Sequence, residues 1–486
     1  MKNNNGVAGD SIALAFVKMI TTVLGLVTTR ILCGLLSKTD YGTYSQVLLL
    51  VSSISSITIL GMSDGINYYY NNNKESDKGL EYVSTLFAMQ FFVSLFCMLL
   101  IVLISPKLIL YFKNDSLRKL LVFVYILPFM QNLISMLQVL FISIGEAKKI
   151  AYRNLIISIS NLVLFSIGSI YIRQIYILLL FTTLLNTAQI IYFSIVLFKS
   201  GIVISLKKIK FNYTKDILKY CIPMAMFIMT NALSRDIDKY VISAFTNAET
   251  LAMYSNAAKI LPFDIIMTSF VTVLMPVVTR VLGEKKYDQA QKVYGDFLMI
   301  SYLSTVILAA GVIPIASNAM SFLYSEKYID GTAIFVIYII IDIIRFMGLS
   351  IVLSATGNSA VLMKISLISL GVNAVLNIIL FRILGVLGPA ISTLIVMLSA
   401  GVYTLYRSSK AMQSNILKIL DLKQLMRNTY VIVLVCIAEY GLAKILNNTL
   451  TNNFLILAIC YGFYAVIVLL ALKKPIIYYY KELNKI

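Results

Sequence analysis

Charged side chains interrupt several membrane-length apolar stretches of this sequence, and these are the residues able to do chemistry. Arg235 and Asp236 lie inside 217–245, within the cluster Arg235-Asp236-Ile237-Asp238-Lys239. Lys18 lies in 11–36, Lys259 and Asp264 in 251–278, and Asp342 with Arg345 in 333–355. An ionised side chain near the centre of a bilayer costs roughly 2.5–3.5 kcal/mol even on the lenient insertion scale. Several such charges, mostly basic, point to a wet cationic cavity within a helix bundle, suited to holding and moving an anion.

The spacing of these charges sorts them. Arg235 and Lys239 are four apart and share a helix face, where like charges repel unless a carboxylate or an anionic ligand offsets them. Asp236, three before Lys239, can pair with it. The group therefore reads either as a salt-bridged cap at the outer interface, with Lys239 snorkelling to water, or as cavity lining. Asp342 and Arg345 are three apart near the middle of their span, so a structural ion pair competes evenly with a binding role. Lys18 has no acidic neighbour in its own helix, and Asp264, five beyond Lys259, lies off that lysine's face. These two lysines are the stronger anion-binding candidates. Glu439, further along, looks to Lys444 or to water.

Other chemistry is absent from the pattern. There is no phosphate-cradling Gly-x4-Gly-Lys-Ser/Thr sequence, no metal-like spacing of Cys or His, and no soluble segment large enough for an active site. No catalytic residue, metal or cofactor is expected. Uphill transport must then draw on an ion gradient (Na+ or H+), the membrane potential or consumption of product. Asp264 and Asp342 are the ion-coupling candidates; with His absent altogether, proton coupling requires one of them to hold a proton at neutral pH once desolvated. Cys33, Cys97, Cys221, Cys436 and Cys460 lie in or beside separate spans and read as small apolar packing residues.

The elements that must position these side chains are membrane helices. The 486 residues have a mean hydropathy of +0.87, are 59% hydrophobic and only 13% charged, too little polar surface for a soluble protein. About fourteen apolar runs are long enough to cross a hydrocarbon core roughly 30 Å thick: 11–36, 41–63, 82–105, 120–144, 151–171, 174–198, 217–245, 251–278, 293–318, 333–355, 361–383, 386–406, 429–447 and 453–472. Two tightly joined pairs, 151–171 with 174–198 and 361–383 with 386–406, leave a twelve-helix count open. The class is all-α and polytopic, since a barrel would show alternating strands of about ten residues. The first run is longer than a cleaved signal, carries Lys18 and is followed by another span, so it is expected to stay.

The net charge of +19 is unevenly placed. With the N-terminus inside, one face receives Lys148, Lys149, Arg153, Lys199, Lys207, Lys208, Lys210, Arg280, Lys285, Arg407, Lys410, Lys423, Lys473 and more, better than two to one over the other. Both termini are expected to be cytoplasmic. Retention beside anionic lipid headgroups accounts for these loops; nucleic-acid binding does not.

Two halves echo each other at a spacing of about 210 residues, a parallel repeat about the membrane normal. Thr39-Asp40-Tyr41-Gly42-Thr43-Tyr44-Ser45 opens the second span and Glu249-Thr250-Leu251-Ala252-Met253-Tyr254-Ser255 the eighth, with Arg30 or Lys239 upstream in each case. The expected division is an N-terminal six-helix lobe (1–200), a basic cytoplasmic linker (201–216), a C-terminal six-helix lobe (217–410), an interfacial amphipathic segment (411–427) and two further helices with a cytoplasmic tail (428–486). Linker and amphipathic segment both suit helices lying at headgroup level. Pro128, Pro223, Pro262, Pro276 and Pro314 mark kinks. Asn373 and Asn377, four apart, suit hydrogen bonds between helices, and Tyr68-Tyr69-Tyr70 and Tyr478-Tyr479-Tyr480 suit an interfacial belt.

Several local patterns together resemble the polysaccharide flippase family of the multidrug/oligosaccharidyl-lipid/polysaccharide exporter superfamily. They are Arg30 followed by Asp40-Tyr41-Gly42-Thr43-Tyr44; Asp238-Lys239-Tyr240-Val241-Ile242 followed by Tyr254-Ser255-x-Ala257-x-Lys259-Ile260; Leu274-Met275-Pro276-Val277-Val278-Thr279-Arg280; and Phe381-Arg382-Ile383-Leu384-Gly385-Val386-Leu387-Gly388-Pro389-Ala390. The resemblance spans about the first 410 residues; the glycine-marked turn has no echo at 170–175. It implies two six-helix lobes around a central cavity in a bacterial cytoplasmic membrane. It also implies rocking between inward- and outward-facing states and a polyprenyl-diphosphate-linked oligosaccharide moved from inner to outer leaflet. A polysaccharide polymerase and glycosyltransferases are the candidate protein partners. Lys18, Arg30, Lys239 and Lys259 match basic positions of the family and carry over as diphosphate or sugar contacts; Arg235 and Arg345 join them from charge placement alone. A diphosphate needs cationic partners in a low-dielectric site.

The alternatives make different demands. An ion-coupled drug or metabolite antiporter of the same superfamily would want an acidic lumen, whereas basic groups dominate here. A membrane scaffold leaves the intramembrane charges unexplained. A ligase or polymerase needs a large outer loop, and none here exceeds about 15 residues.

Overall fold

In the computed structural model residues 4–73, 77–259 and 261–484 are described. The first half contains α1 (Asn4–Leu35), α2 (Lys38–Thr58), α3 (Met62–Asn72), α4 (Lys78–Phe112), α5 (Leu121–Ser143), α6 (Ala147–Ile167), α7 (Ile175–Lys199) and α8 (Thr214–Phe245). Then come α9 (Ala248–Ala257), α10 (Ile265–Gly283), α11 (Tyr287–Ala309), α12 (Ala316–Tyr324), α13 (Thr332–Ile344) and α14 (Ile351–Ala355). The last are α15 (Ser359–Leu384), α16 (Leu387–Ala411), α17 (Ile416–Ile419), α18 (Leu422–Thr449) and α19 (Asn453–Asn484). Among the described residues there is no strand, as a chain with no water to satisfy its backbone requires.

Among the described residues, twelve helices are long and apolar enough to cross a membrane, thirteen if the bent pair α2–α3 is one span. That pair bends by 40° where Leu60 and Gly61 both take positive φ. The segment 251–278, expected as one helix, is broken into α9 and α10. Pro262 opens a 3-10 turn between them and has no N–H to continue a helix. The expected span 333–355 is also interrupted, α13 passing through the 3-10 turn Arg345–Gly348 and a non-helical Leu349–Ser350 into α14, and α6 ends in a π-helical turn, Gly168–Ile172.

The chain divides by its contacts into residues Met1–Ala252 and Met253–Ile486, the division falling within α9. In the first unit α1 lies along α6, and α8 lies against α2, α3 and α4. Its core gathers Met62, Ile66, Leu86, Phe141, Phe193 and Cys221. The linker, expected as an amphipathic helix, is instead two 3-10 turns (Leu206–Lys208 and Phe211–Tyr213) docked on α4. Ser205 and Lys210 donate their backbone N–H groups to Ser84 and Thr85 hydroxyls, and Lys210 reaches Glu81 at 3.8 Å. Tyr68 and Tyr69, which read as belt residues, stack on Tyr220 and Tyr82 at 4.4 and 4.3 Å, and Tyr82 in turn on Tyr213 at 4.0 Å. The stacked rings tie the linker to the helices rather than facing headgroups alone.

In the second unit α11 is the central helix, its Tyr294, Phe297, Leu298 and Leu303 enclosed by α10, α13 and α19. The amphipathic segment is not one interfacial helix but the four-residue α17 followed by the first turns of α18, with Ile419 and Leu420 in this core and Leu417 and Met426 exposed. α15 and α16 form a hairpin. Its turn uses Gly385 at φ +60, and Gly388 lies against the Leu380 carbonyl, where any side chain would collide.

Candidate functional site

Of the six basic candidates, Lys18, Arg30 and Arg235 are exposed on their helices, Lys259 is exposed just past the end of α9, and Lys239 and Arg345 are half-buried. Lys18 and Arg30 share α1, twelve residues apart, so about 18 Å separates them along the axis. One diphosphate cannot touch both at once. They can serve successive positions of a moving headgroup, or one can meet phosphate and the other sugar.

On α8 the structure brings Lys239 and Asp236 together at 2.6 Å, and the Lys239 ammonium also reaches the Arg235 carbonyl at 3.5 Å. Arg235 stays exposed beside this pair. Asp238, buried, accepts the Lys239 backbone N–H at 2.8 Å. The salt bridge and the four-residue repeat of basic groups therefore coexist: one cation is offset internally and its neighbour is left facing outward.

Asp342 is buried on α13 and meets Arg345 at 3.3 Å. Arg345 opens the 3-10 turn Arg345–Gly348 that ends the helix, so its guanidinium bends back over the carboxylate. The second ion-coupling candidate, Asp264, closes the 3-10 turn Pro262–Asp264, and its side chain lies outside the described residues. Asn373 and Asn377 are both buried on α15. Asn373 accepts from the Ser392 hydroxyl of α16 at 2.8 Å, joining the hairpin as expected; Asn377 and the Thr393 hydroxyl have no hydrogen-bond partner.

Two features escape a reading of the sequence. The first is Arg153 on α6, counted above with the cytoplasmic loops. It is buried, donates to Gln189 at 2.5 Å and Gln138 at 2.9 Å, and lies 4.9 Å from the centre of the Phe193 ring. Three helices, α5, α6 and α7, thus converge on one guanidinium. Its only signal is that it sits inside the start of a span, one turn beyond Lys149. Arg153→Leu leaves two amides without their donor, at about 1–3 kcal/mol each. A clearly lowered thermal midpoint in detergent is expected, only partly restored by Arg153→Lys because an ammonium cannot reproduce the fork. Unchanged melting would show that the cluster does not hold these helices.

The second is the meeting of the two repeat openings. Thr39 donates to the Glu249 carboxylate at 2.6 Å, and Gly42 packs so tightly on the Ala248 carbonyl that a Cβ would overlap it. The glycine of Asp40-Tyr41-Gly42 is there because α2 and the start of α9 touch backbone to backbone.

Comparisons agree with this architecture. Residues 31–333 match the family model described as polysaccharide biosynthesis protein. No curated protein matches the chain by sequence. Among solved structures it is similar to the lipid II flippase MurJ in an inward closed conformation, with a TM-score of 0.73 at 16% identity, over 95% of this chain and 99% of that one. It is also similar to an inward-facing multidrug resistance MATE transporter of the MOP superfamily, at 0.66 and 14% identity over 82% and 99% of the two chains. A MOP superfamily transporter from Pyrococcus furiosus, described by the reverse polarity of its binding pocket, gives 0.57 and 16% identity over 84% and 95%. At such identities likeness establishes the fold, that of a multi-pass membrane transporter, while the family model covers well over half the chain. The chain belongs to the polysaccharide biosynthesis protein family.

Proposed function

We propose that this protein is a flippase that moves a polyprenyl-diphosphate-linked oligosaccharide from the inner to the outer leaflet by alternating access. Lys18, Arg30, Arg235, Lys239, Lys259 and Arg345 are its diphosphate and sugar contacts. The observation that carries this reading is the polysaccharide biosynthesis match over residues 31–333 in a chain that covers 99% of a lipid II flippase structure. The charges support it physically. An ammonium exposed at membrane depth, such as Lys18 in the middle of α1, must meet water or an anion, because facing lipid would cost roughly 2.5–3.5 kcal/mol or more. A diphosphate supplies that anion, and its polyprenyl tail can remain in the bilayer.

The membrane is the bacterial cytoplasmic membrane, with both termini inside. Membrane lipids surround the protein, and a polysaccharide polymerase and glycosyltransferases are its candidate protein partners. Reporter fusions at both ends of the chain test the orientation: fluorescence from a cytoplasm-dependent reporter at each terminus is expected, and periplasmic phosphatase activity at either end would reverse it. The function is tested in proteoliposomes carrying a fluorescent polyprenyl-diphosphate oligosaccharide. Appearance of label in the trans leaflet at a rate far above protein-free vesicles is expected. No such rate, with efflux of a cationic drug instead, would favour the antiporter reading.

A further inference from the structure

Glu439 lies on α18, ten residues before Thr449, and is completely buried with neither carboxyl oxygen meeting a hydrogen-bond donor. That places it about 15 Å from the end of its helix, well inside the hydrocarbon. Lys444, the partner its sequence suggests, is exposed and makes no bond to it. The titratable groups around it are Cys436 on its own helix and Cys460, Tyr461 and Tyr464 on α19.

Three of these are aimed elsewhere. Tyr461 donates to the Leu308 carbonyl at 3.1 Å, Tyr464 to the Val306 carbonyl at 3.0 Å, and the Cys436 thiol faces the Ala310 carbonyl at 3.6 Å. On α11, Tyr302 is taken up by Thr429 at 2.7 Å. The 3-10 turn Ala310–Val312 brings no ionisable side chain, and its Gly311 exists to admit the Tyr464 ring, which a Cβ would strike. The surroundings are thus built to satisfy each other and to leave the carboxyl alone. A charged carboxylate here has no cation and no donor to offset its burial. An acid that carries its own proton does not need them.

We propose that Glu439 is a proton-binding site. It holds a proton on one carboxyl oxygen while α18, α19 and the Ala310–Val312 turn are closed around it. When they part enough to admit water, the O–H bond breaks, the proton leaves on that water and a carboxylate remains, to be reprotonated from the other side. As a coupling site for transport this rests on the flippase reading; as a proton site it does not. It lies on α18, in the helix pair expected from the sequence to follow the second six-helix lobe, which gives that pair a role other than packing.

The test is infrared difference spectroscopy on the full chain in lipid nanodiscs, following the carbonyl stretch of protonated carboxylic acids. A band that is lost reversibly as the pH is raised, is absent in Glu439→Gln and is displaced in Glu439→Asp, is expected. No titrating band, or one untouched by both variants, would overturn the proposal. In proteoliposomes carrying the labelled polyprenyl-diphosphate oligosaccharide, an imposed proton gradient is expected to stimulate the wild type and Glu439→Asp but not Glu439→Gln. Undiminished stimulation of Glu439→Gln would overturn the coupling. A titrating Glu439 band in a protein that flips no labelled lipid would leave the proton site standing and sink the flippase.

Discussion

Lys18→Ala and Lys259→Ala each lower transport roughly ten- to hundredfold while the protein still inserts and folds. Both side chains are exposed within membrane-length apolar sequence, Lys18 on α1 and Lys259 just past the end of α9, so their removal strips little packing. On the proposed reading, the loss that matters is that of the interaction with the diphosphate. A hydrogen bond to a charged group contributes about 1.5–3 kcal/mol, and each 1.4 kcal/mol is about tenfold in affinity, so one lysine accounts for roughly ten- to hundredfold and both together for far more. Lys→Arg at either position retains most activity, because charge is kept, while Lys→Gln does not. Rates are read in the proteoliposome assay against protein level in the membrane. Wild-type export by both alanine variants would remove them from the mechanism.

Gly42→Val has a comparable effect for a different reason. A side chain at Gly42 would occupy the space of the Ala248 carbonyl, so the contact between α2 and the start of α9 could form only with backbone displacement. Overpacking of this kind costs typically about 1–3 kcal/mol, enough to lower the population of the closed contact some ten- to hundredfold. On the proposed alternating-access reading, this contact between the openings of the two repeats forms in one state and parts in the other. Transport should fall at least tenfold in Gly42→Val and less in Gly42→Ala. Spin labels on α2 and α9 should report a longer distance in the valine variant. Full activity in Gly42→Val would show that the contact is not part of the cycle.

Helix existence was legible from run length alone, because a bilayer leaves the backbone few options. The breaks were less so. Pro262 signals the interruption before α10, whereas the bend after α2 depends on Leu60 and Gly61 taking positive φ, which one glycine in a long apolar run does not announce. Charge placement was half legible. The Asp236–Lys239 and Asp342–Arg345 pairs follow from helical spacing and are present at 2.6 and 3.3 Å. Arg153 was hidden because proximity to Lys148 and Lys149 in sequence says nothing of Gln138 and Gln189, which arrive from other helices. Glu439 was given Lys444 on proximity, yet five residues is off the face of a helix, and the lysine turns outward. The stacking of Tyr68 on Tyr220 and of Tyr69 on Tyr82 could not be read from the tyrosine run itself, because both partners come from other helices.

The claim beneath all of this is that positive side chains recognise a diphosphate. It is tested most directly by comparing, in nanodiscs, the affinity of the protein for a polyprenyl-diphosphate oligosaccharide and for an uncharged polyprenol of the same chain length. Binding of the diphosphate about a hundredfold tighter or more, falling towards parity in the Lys18→Ala/Lys259→Ala double variant, is the predicted result. Equal affinity for the two lipids in the wild type would contradict it.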